Sequence, residues 1–451
     1  MSEHGEPRLE TLMAAAFDDG SGSVTPPIYQ TSLFTFASYA DFADRMAGLS
    51  DTALYTRVQN PTVAAFEAMM AEAEGGAEGR AGGSVAAVGF ASGMAAISST
   101  LLALVKPGDQ VACVEHVYPD AYRLFERLLV PFGIAVSYHP VSAFEDDPGL
   151  LAGVTLAYLE SPSSAVFQPM NLPKVAAHAR RHSCLTVIDN SWATPVFQRP
   201  LGLGIDIVLH SASKYISGHS DTVAGVVIAR RELIGRLRDL TLPLLGAKLA
   251  PFEAWLLVRG LRTLGARMRQ HQATADLFVD RLSQLPCVTR VHSPGPNSVP
   301  GLTGRSGLLS IEFDESVDIP RLADSVSLFR LGVSWGGFES LLLPASVTLA
   351  QAGPKNSMQR FGVSDRLVRL SLGLENAEDL WADLSRALQS STGRTGADHT
   401  VKQGGDDEET AFNADHRGPL DGHLGAGRDQ PQAGRGDHQP RAHPGAATNG
   451  R

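Results

Sequence analysis

Six apolar runs of strand length, SVAAVGF, QVACVE, TLAYLE, LTVIDN, DIVLHS and AGVVIA, recur between residues 84 and 229, separated by stretches of helical periodicity such as LPKVAAHARRH. Each run is apolar along nearly its whole length rather than at alternate positions. Such a strand is stable only when both its faces are covered, which is the situation in a mostly parallel sheet with helices on either side. The alternation therefore predicts an α/β domain over residues 56–250.

The flanks read differently. Residues 1–55 hold Pro26 and Pro27 amid polar residues and predict an extended arm of the kind that packs on a neighbour. Beyond Pro251, a helical stretch, the turn-rich PCVTRVHSPGPNSVPG, the run GLLSIEF and a last helical run predict a smaller α+β domain over residues 251–390. Residues 391–451 turn to Gly, Asp, His, Arg, Pro and Gln with Phe412 the only aromatic, too little apolar surface to offset chain entropy, and are expected to be disordered. The five histidines of this tail are too irregularly spaced to predict a metal site.

Composition narrows the partners. With 38 basic against 48 acidic residues the net charge is −10, which disfavours nucleic acid. The uncharged stretch 84–105 is long enough to span a bilayer, but its Ser, Gly and Thr content reads as a strand, a glycine turn and a helix start, so no membrane span is expected. Cys113, Cys184 and Cys287 are odd in number and far apart, which argues against disulfides and fits a reducing cytoplasm. Glu3, Glu6 and Glu10 stand where a secretory signal would carry basic charge.

Two ionisable residues fall at strand ends. Asp189 closes one apolar run, and Lys214 follows another in the turn Ser211-Ala212-Ser213. In open α/β sheets the carboxyl ends of the strands line the ligand crevice, so this carboxylate and this amine are expected to meet there. Pyridoxal 5′-phosphate requires that set: an amine for the Schiff base, a carboxylate to keep the pyridine nitrogen protonated, and hydroxyl and backbone N–H groups for the phosphate. Taken singly, Asp189 reads as a helix cap or turn residue and Lys214 as a solvated side chain. Ser92-Gly93-Met94, between a strand and a helix start, offers the free N–H groups and positive dipole end that an anion needs.

Read with YTRVQNPT (55–62), FASGMAA (90–96), ESPSS (160–164), SASKYISGHSD (211–221), RGLRTLGARMRQH (259–271) and SWGGFESL (334–341), these pieces resemble the cystathionine β-lyase/γ-synthase family of pyridoxal-phosphate enzymes from about residue 20 to 388. The resemblance implies a fold-type I enzyme. Lys214 would be the Schiff-base lysine, Asp189 the pyridinium partner and Tyr118 the aromatic stacked on the ring. Gly93, Met94, Ser211 and Ser213 would hold the phosphate, while Tyr55 and Arg57 would reach the phosphate of an adjacent subunit. Arg369 would clamp the substrate carboxylate with help from the Ser334 backbone; without the family context it reads as a structural ion pair. The resemblance further implies a homotetramer, a dimer of dimers with shared active sites, acting on a small sulfur amino acid.

Members differ in what leaves the substrate. Val333 stands where γ-type enzymes carry an acidic residue, and Trp335 where they carry leucine; SWGG is similar to bacterial β-lyases. Ser164 replaces the usual asparagine, and Pro119-Asp120 replaces a glycine pair after Tyr118. The expectation is β-elimination of L-cystathionine to homocysteine, pyruvate and ammonia, as a step of methionine biosynthesis, with a γ-type reaction as the alternative. Trp335 would line the substrate pocket with Tyr118 and Tyr55, or else simply fill a domain boundary. Two rivals are remote: Ser211 and Lys214 fit the SxxK of serine hydrolases without its companion motifs, and His178 and His182 share a helix face without the glutamate of a zinc site.

Overall fold

The computed structural model describes residues 8–14 and 22–392. Seven strands, β1 (Val85–Phe90), β2 (Gln110–Val114), β3 (Ala135–His139), β4 (Leu156–Glu160), β5 (Leu185–Asp189), β6 (Ile207–His210) and β7 (Gly225–Arg230), form one sheet in the order β1-β7-β6-β5-β4-β2-β3. All six apolar runs are among them. The strands from β3 to β6 pair in parallel, whereas β7 is antiparallel to both β6 and β1. β1 therefore points the same way as β6, and the carboxyl ends of β1, β2, β4, β5 and β6 share one edge of the sheet. β3 is the strand that the apolar pattern missed: AVSYH mixes polar and apolar residues because it is an outer strand with no fully buried position.

Both faces of this sheet are covered. Val187 packs on one side with Phe90, Tyr158 and Leu209, and its neighbour Ile188 on the other with Leu159, Val175 and Val208. Each such side chain contributes roughly 1.5–3 kcal/mol of burial, which accounts for runs without a polar position. The helix Pro61–Gly75 sets Phe66 and Met70 against Val226 and Ile228 of β7. Its entry is fixed by Asn60, a buried cap that accepts the Thr62 N–H at 3.0 Å and donates to the Tyr29 carbonyl at 2.9 Å, tying the preceding segment down.

The second sheet holds β8 (Val288–His292), β9 (Leu308–Phe313), β10 (Arg330–Leu331), β11 (Leu341–Pro344) and β12 (Leu367–Ser371) in the order β10-β11-β12-β9-β8. Its core joins Leu309, Ile311 and Leu370 to Phe278 and Leu384. β8 lies inside the stretch expected to be a turn-rich connection; it is an outer strand whose Thr289 and Arg290 are exposed, so the turn residues around it dominate the pattern. Both sheets belong to one compact unit.

The uncharged stretch 84–105 is β1 followed by the helix Gly93–Leu104. No helix among the described residues is long and apolar enough to cross a membrane. The last helix, Ala377–Ser391, leads to Thr392; residues 393–451, and with them the expected disordered tail and its histidines, lie outside the described residues.

Candidate active site

The shared carboxyl edge gathers the chemistry. Asp189 ends β5 and Glu160 ends β4, directly paired in the parallel register, while Ser211 to Lys214 leave the end of β6. Ser191 joins the two turns: its N–H and hydroxyl both donate to Asp189 Oδ1, at 2.9 and 2.5 Å, and its hydroxyl accepts the Ser211 N–H at 2.7 Å. Burial pushes the Asp189 carboxyl up, against the opposing pull of the Ser191 bonds and of His210 and Lys214. Its Oδ2 receives no donor among the described residues.

Lys214 is half-buried and forms no ion pair among the described residues. Its amine donates to Ser334 Oγ and lies 5.3 Å from the centroid of the Trp335 ring. Burial first, and then the like charge of Arg369, bring its pKa from an ordinary 10.5 to about 8, with Asp189 opposing. An amine so placed is neutral often enough near pH 8 to act as nucleophile or base. Ser334 stands between the two cations, because its carbonyl accepts Arg369 Nη2 at 2.7 Å. That bond brings Arg369 and the Ser334 backbone together. Burial also lowers Arg369 to about 10. Ser334 has φ +74°, outside the range that serine prefers, and Gly336, two residues on, has φ +86°. A Cβ at 336 would lie 2.9 Å from the Tyr215 nitrogen and 3.1 Å from Lys214 Cβ.

Tyr118 opens a short helix beside this cluster. Its N–H donates to Glu160 Oε1 at 2.7 Å and its hydroxyl to Asp120 Oδ2 at 3.1 Å. Burial, then Asp120, raise the phenol above its ordinary range. Glu160 also accepts the Ser164 hydroxyl at 2.9 Å; burial and the neighbouring Asp189 push its carboxyl up to about 8.

The helix Gly93–Leu104 points its start at the same turn. Ser92 caps it by accepting the Ala95 N–H at 3.0 Å, while the N–H groups of Gly93 and Met94 find no acceptor among the described residues. A Cβ on Gly93 would sit 2.8 Å from Ser211 Oγ, so only glycine lets the helix start close on that serine. Ser213 is committed differently: its hydroxyl donates to the Ala224 carbonyl at 3.2 Å and accepts the Ala224 N–H at 2.9 Å. Tyr55 and Arg57 are exposed and not part of this cluster; the Arg57 guanidinium lies over its own chain's Tyr55 ring at 5.1 Å.

The rival chemistries lose their geometry. Lys214 donates to Ser334 rather than to the Ser211 hydroxyl, and both His178 and His182 face backbone carbonyls, of Phe144 and Pro148. Among the described residues no cluster of His, Cys, Asp and Glu is arranged to hold a metal ion.

The sequence profile of the Cys/Met metabolism PLP-dependent enzymes matches residues 11–389. The chain belongs to that family. It is 36% identical over 409 residues to L-methionine gamma-lyase of Pseudomonas putida, covering 86% of this chain and all of that one. It is 35% identical over 381 residues to cystathionine beta-lyase of Lactococcus lactis subsp. cremoris, covering 82% and 96%. A crystal structure of cystathionine gamma synthase from Xanthomonas oryzae pv. oryzae in complex with cystathionine superposes with a TM-score of 0.76 at 34% identity, over 86% of this chain and 99% of the other.

Membership makes the chain a pyridoxal-phosphate-dependent α/β enzyme of fold type I, in a family of carbon–sulfur lyases and synthases. The cluster fits that cofactor on its own terms. Two unpaired helix N–H groups beside Ser211 suit a phosphate, the unpartnered Asp189 Oδ2 suits a pyridine N–H, and Lys214 supplies an amine without a counter-ion. Two residues of the site carried no recognisable signal in the sequence. Ser191 is one serine among many, and Glu160 was visible only as the first letter of ESPSS.

Proposed function

We propose that this enzyme is a cystathionine β-lyase, converting L-cystathionine and water to homocysteine, pyruvate and ammonia. In this reading Lys214 is the residue that carries pyridoxal phosphate, Asp189 and Tyr118 hold its ring, Gly93, Met94 and Ser211 hold its phosphate, and Ser213 joins them by turning its hydroxyl away from Ala224. The bound cofactor supplies an electron sink for the pair released at the substrate Cα. Arg369, its guanidinium held by the Ser334 carbonyl, binds the substrate carboxylate. Lys214, in its neutral form, takes the Cα proton, and the resulting ammonium stands ready to protonate the departing homocysteine sulfur as the Cβ–S bond breaks. The three-carbon remainder leaves as an enamine that water hydrolyses to pyruvate and ammonia.

The observation that carries the β-assignment is the wall beside the amine: Trp335 packs on Tyr215 at 5.5 Å between ring centroids and on Lys214, and the preceding Val333, 77% exposed, offers no carboxylate. A γ-type reaction needs a second proton removal, at Cβ, and this wall adds no base for it. The 36% identity to a methionine γ-lyase supports the γ-type alternative.

The reading includes three further parts. The division at about residue 250 into a cofactor domain and a smaller domain is supported by the two separate sheets. A homotetramer of site-sharing dimers is supported by the segment around Tyr55, where Tyr29, Leu33, Tyr39, Phe42, Met46 and Leu49 are all at least 41% exposed. Cytoplasmic location is supported by three free cysteines. The deciding experiment is product analysis with L-cystathionine: pyruvate with homocysteine is the expected pair, and 2-oxobutyrate with cysteine overturns the assignment.

A further inference from the structure

Behind the anchor lies a polar cluster that the proposed chemistry does not use. Glu74, in the last turn of the helix Pro61–Gly75, is fully buried, and its Oε1 accepts two bonds. One comes from His210 Nε2 at 2.6 Å, the other from Asn190 Nδ2 at 3.1 Å. His210 is the last residue of β6 and immediately precedes Ser211; Asn190 immediately follows Asp189 at the end of β5. Asn190 also donates to the Gln198 carbonyl at 2.9 Å. Glu74 Oε2, His210 Nδ1, Asn190 Oδ1 and both side-chain polar atoms of Gln198 are buried without partners among the described residues.

So many polar atoms buried with so few protein partners cost stability, and an apolar plug of the same volume would pack there with less loss. What an apolar plug cannot do is fix two backbones by direction. We propose that Glu74 is a positioning residue for the cofactor: its carboxylate ties the residue after Asp189 to the residue before Ser211, holding the two strand ends at the spacing at which Asp189 and the 211–214 turn grip one ligand. The β-sheet pairing alone leaves this point soft, because the β5–β6 ladder ends at Asp189 and Leu209. Beyond it, the only other cross-links among the described residues are the Asn190 N–H to the Leu209 carbonyl at 2.9 Å and the Ser191 bridge. Glu74 reaches both turns from a third element, the helix Pro61–Gly75.

The inference rests on the reading that Asp189 and Lys214 hold pyridoxal phosphate, and its test separates the two. The full chain, stripped of cofactor, is titrated with pyridoxal 5′-phosphate and followed by tryptophan fluorescence, for which Trp335 beside Lys214 is the reporter. Glu74→Ala is expected to weaken binding by about tenfold, as loss of a supporting partner behind a bound group does. Glu74→Gln keeps the acceptor oxygen and is expected to recover most of that loss. Because Glu74 acts through Asp189, Glu74→Ala in an Asp189→Ala background is expected to add little. A folded Glu74→Ala chain that binds as tightly as the parent overturns the proposal, as does a double variant in which the two losses multiply. If Asp189→Ala itself leaves affinity unchanged, the reading of Asp189 fails and the proposal falls with it. Should Glu74→Ala not fold, Asn190→Ala cuts one arm of the tie and is expected to give a smaller loss with the same non-additivity; unchanged affinity there overturns the proposal equally.

Discussion

With Lys214 as the proposed cofactor-bearing amine, its depressed pKa would make cofactor capture a titration of that amine. Only the neutral amine attacks an aldehyde. At pH 7 an amine with pKa about 8 is neutral in about one molecule in eleven, against about one in three thousand at the ordinary 10.5, an advantage of about 300-fold. The rate at which the stripped chain takes up pyridoxal phosphate should therefore climb nearly tenfold per pH unit at low pH and level off above about 8. Stopped-flow absorbance from about pH 6 to about pH 10 reads the profile. The second cause of the depression is the charge of Arg369, so Arg369→Leu should move the inflection upward, while burial, the larger cause, keeps it below 10.5. A flat profile, or one still climbing beyond about pH 10, refutes the electrostatic argument. An inflection that Arg369→Leu moves downward refutes the part assigned to the guanidinium.

Three further outcomes follow from the same geometry. Lys214→Ala should abolish turnover and leave no cofactor mass on the chain after borohydride reduction, while phosphate contacts keep some cofactor bound; measurable turnover would remove Lys214 from the mechanism. Gly93→Ala pushes a methyl to within 2.8 Å of Ser211 Oγ, an overpacking of about 1–3 kcal/mol, and should lower cofactor affinity with the circular dichroism unchanged. Glu160 is raised from 4.5 to about 8 in the folded chain, so between those values the folded state holds more protons than the unfolded one and the stripped protein should lose stability as pH rises. Glu160→Gln should flatten that slope in urea titrations, and an unchanged slope would mean that another group sets it.

The large sheet was legible because its strands are buried on both sides, so hydrophobic length alone marks them. β3 and β8 were not, since an outer strand keeps only half its surface dry and its letters mix. The direction of β7 was equally hidden: GVVIAR reads the same whether it runs with or against β6. Lys214, Asp189 and Gly93 could be singled out because each sits where an apolar run stops. Ser334 and Arg369 needed the family resemblance, since nothing local links two residues 35 positions apart whose meeting depends on the second sheet. Glu74 and Glu160 stayed silent for another reason: a glutamate in a helix or before a turn is nearly always solvated, and only the folded surroundings reveal that these two are not.

Gly336 has a consequence for the history of such an enzyme. A Cβ there would meet Lys214 Cβ at 3.1 Å, and Ser334 Oγ two residues earlier accepts a hydrogen bond from the Lys214 amine, so the segment that would select the sulfur substrate and the amine that would attack it are touching parts of one surface. Selectivity and reactivity are thus not separate dials. A lineage that exchanges residues 333–335 to accept a new substrate also retunes the basicity of its own lysine, and variants bred for a different leaving group should drift in pH optimum without any change at the lysine.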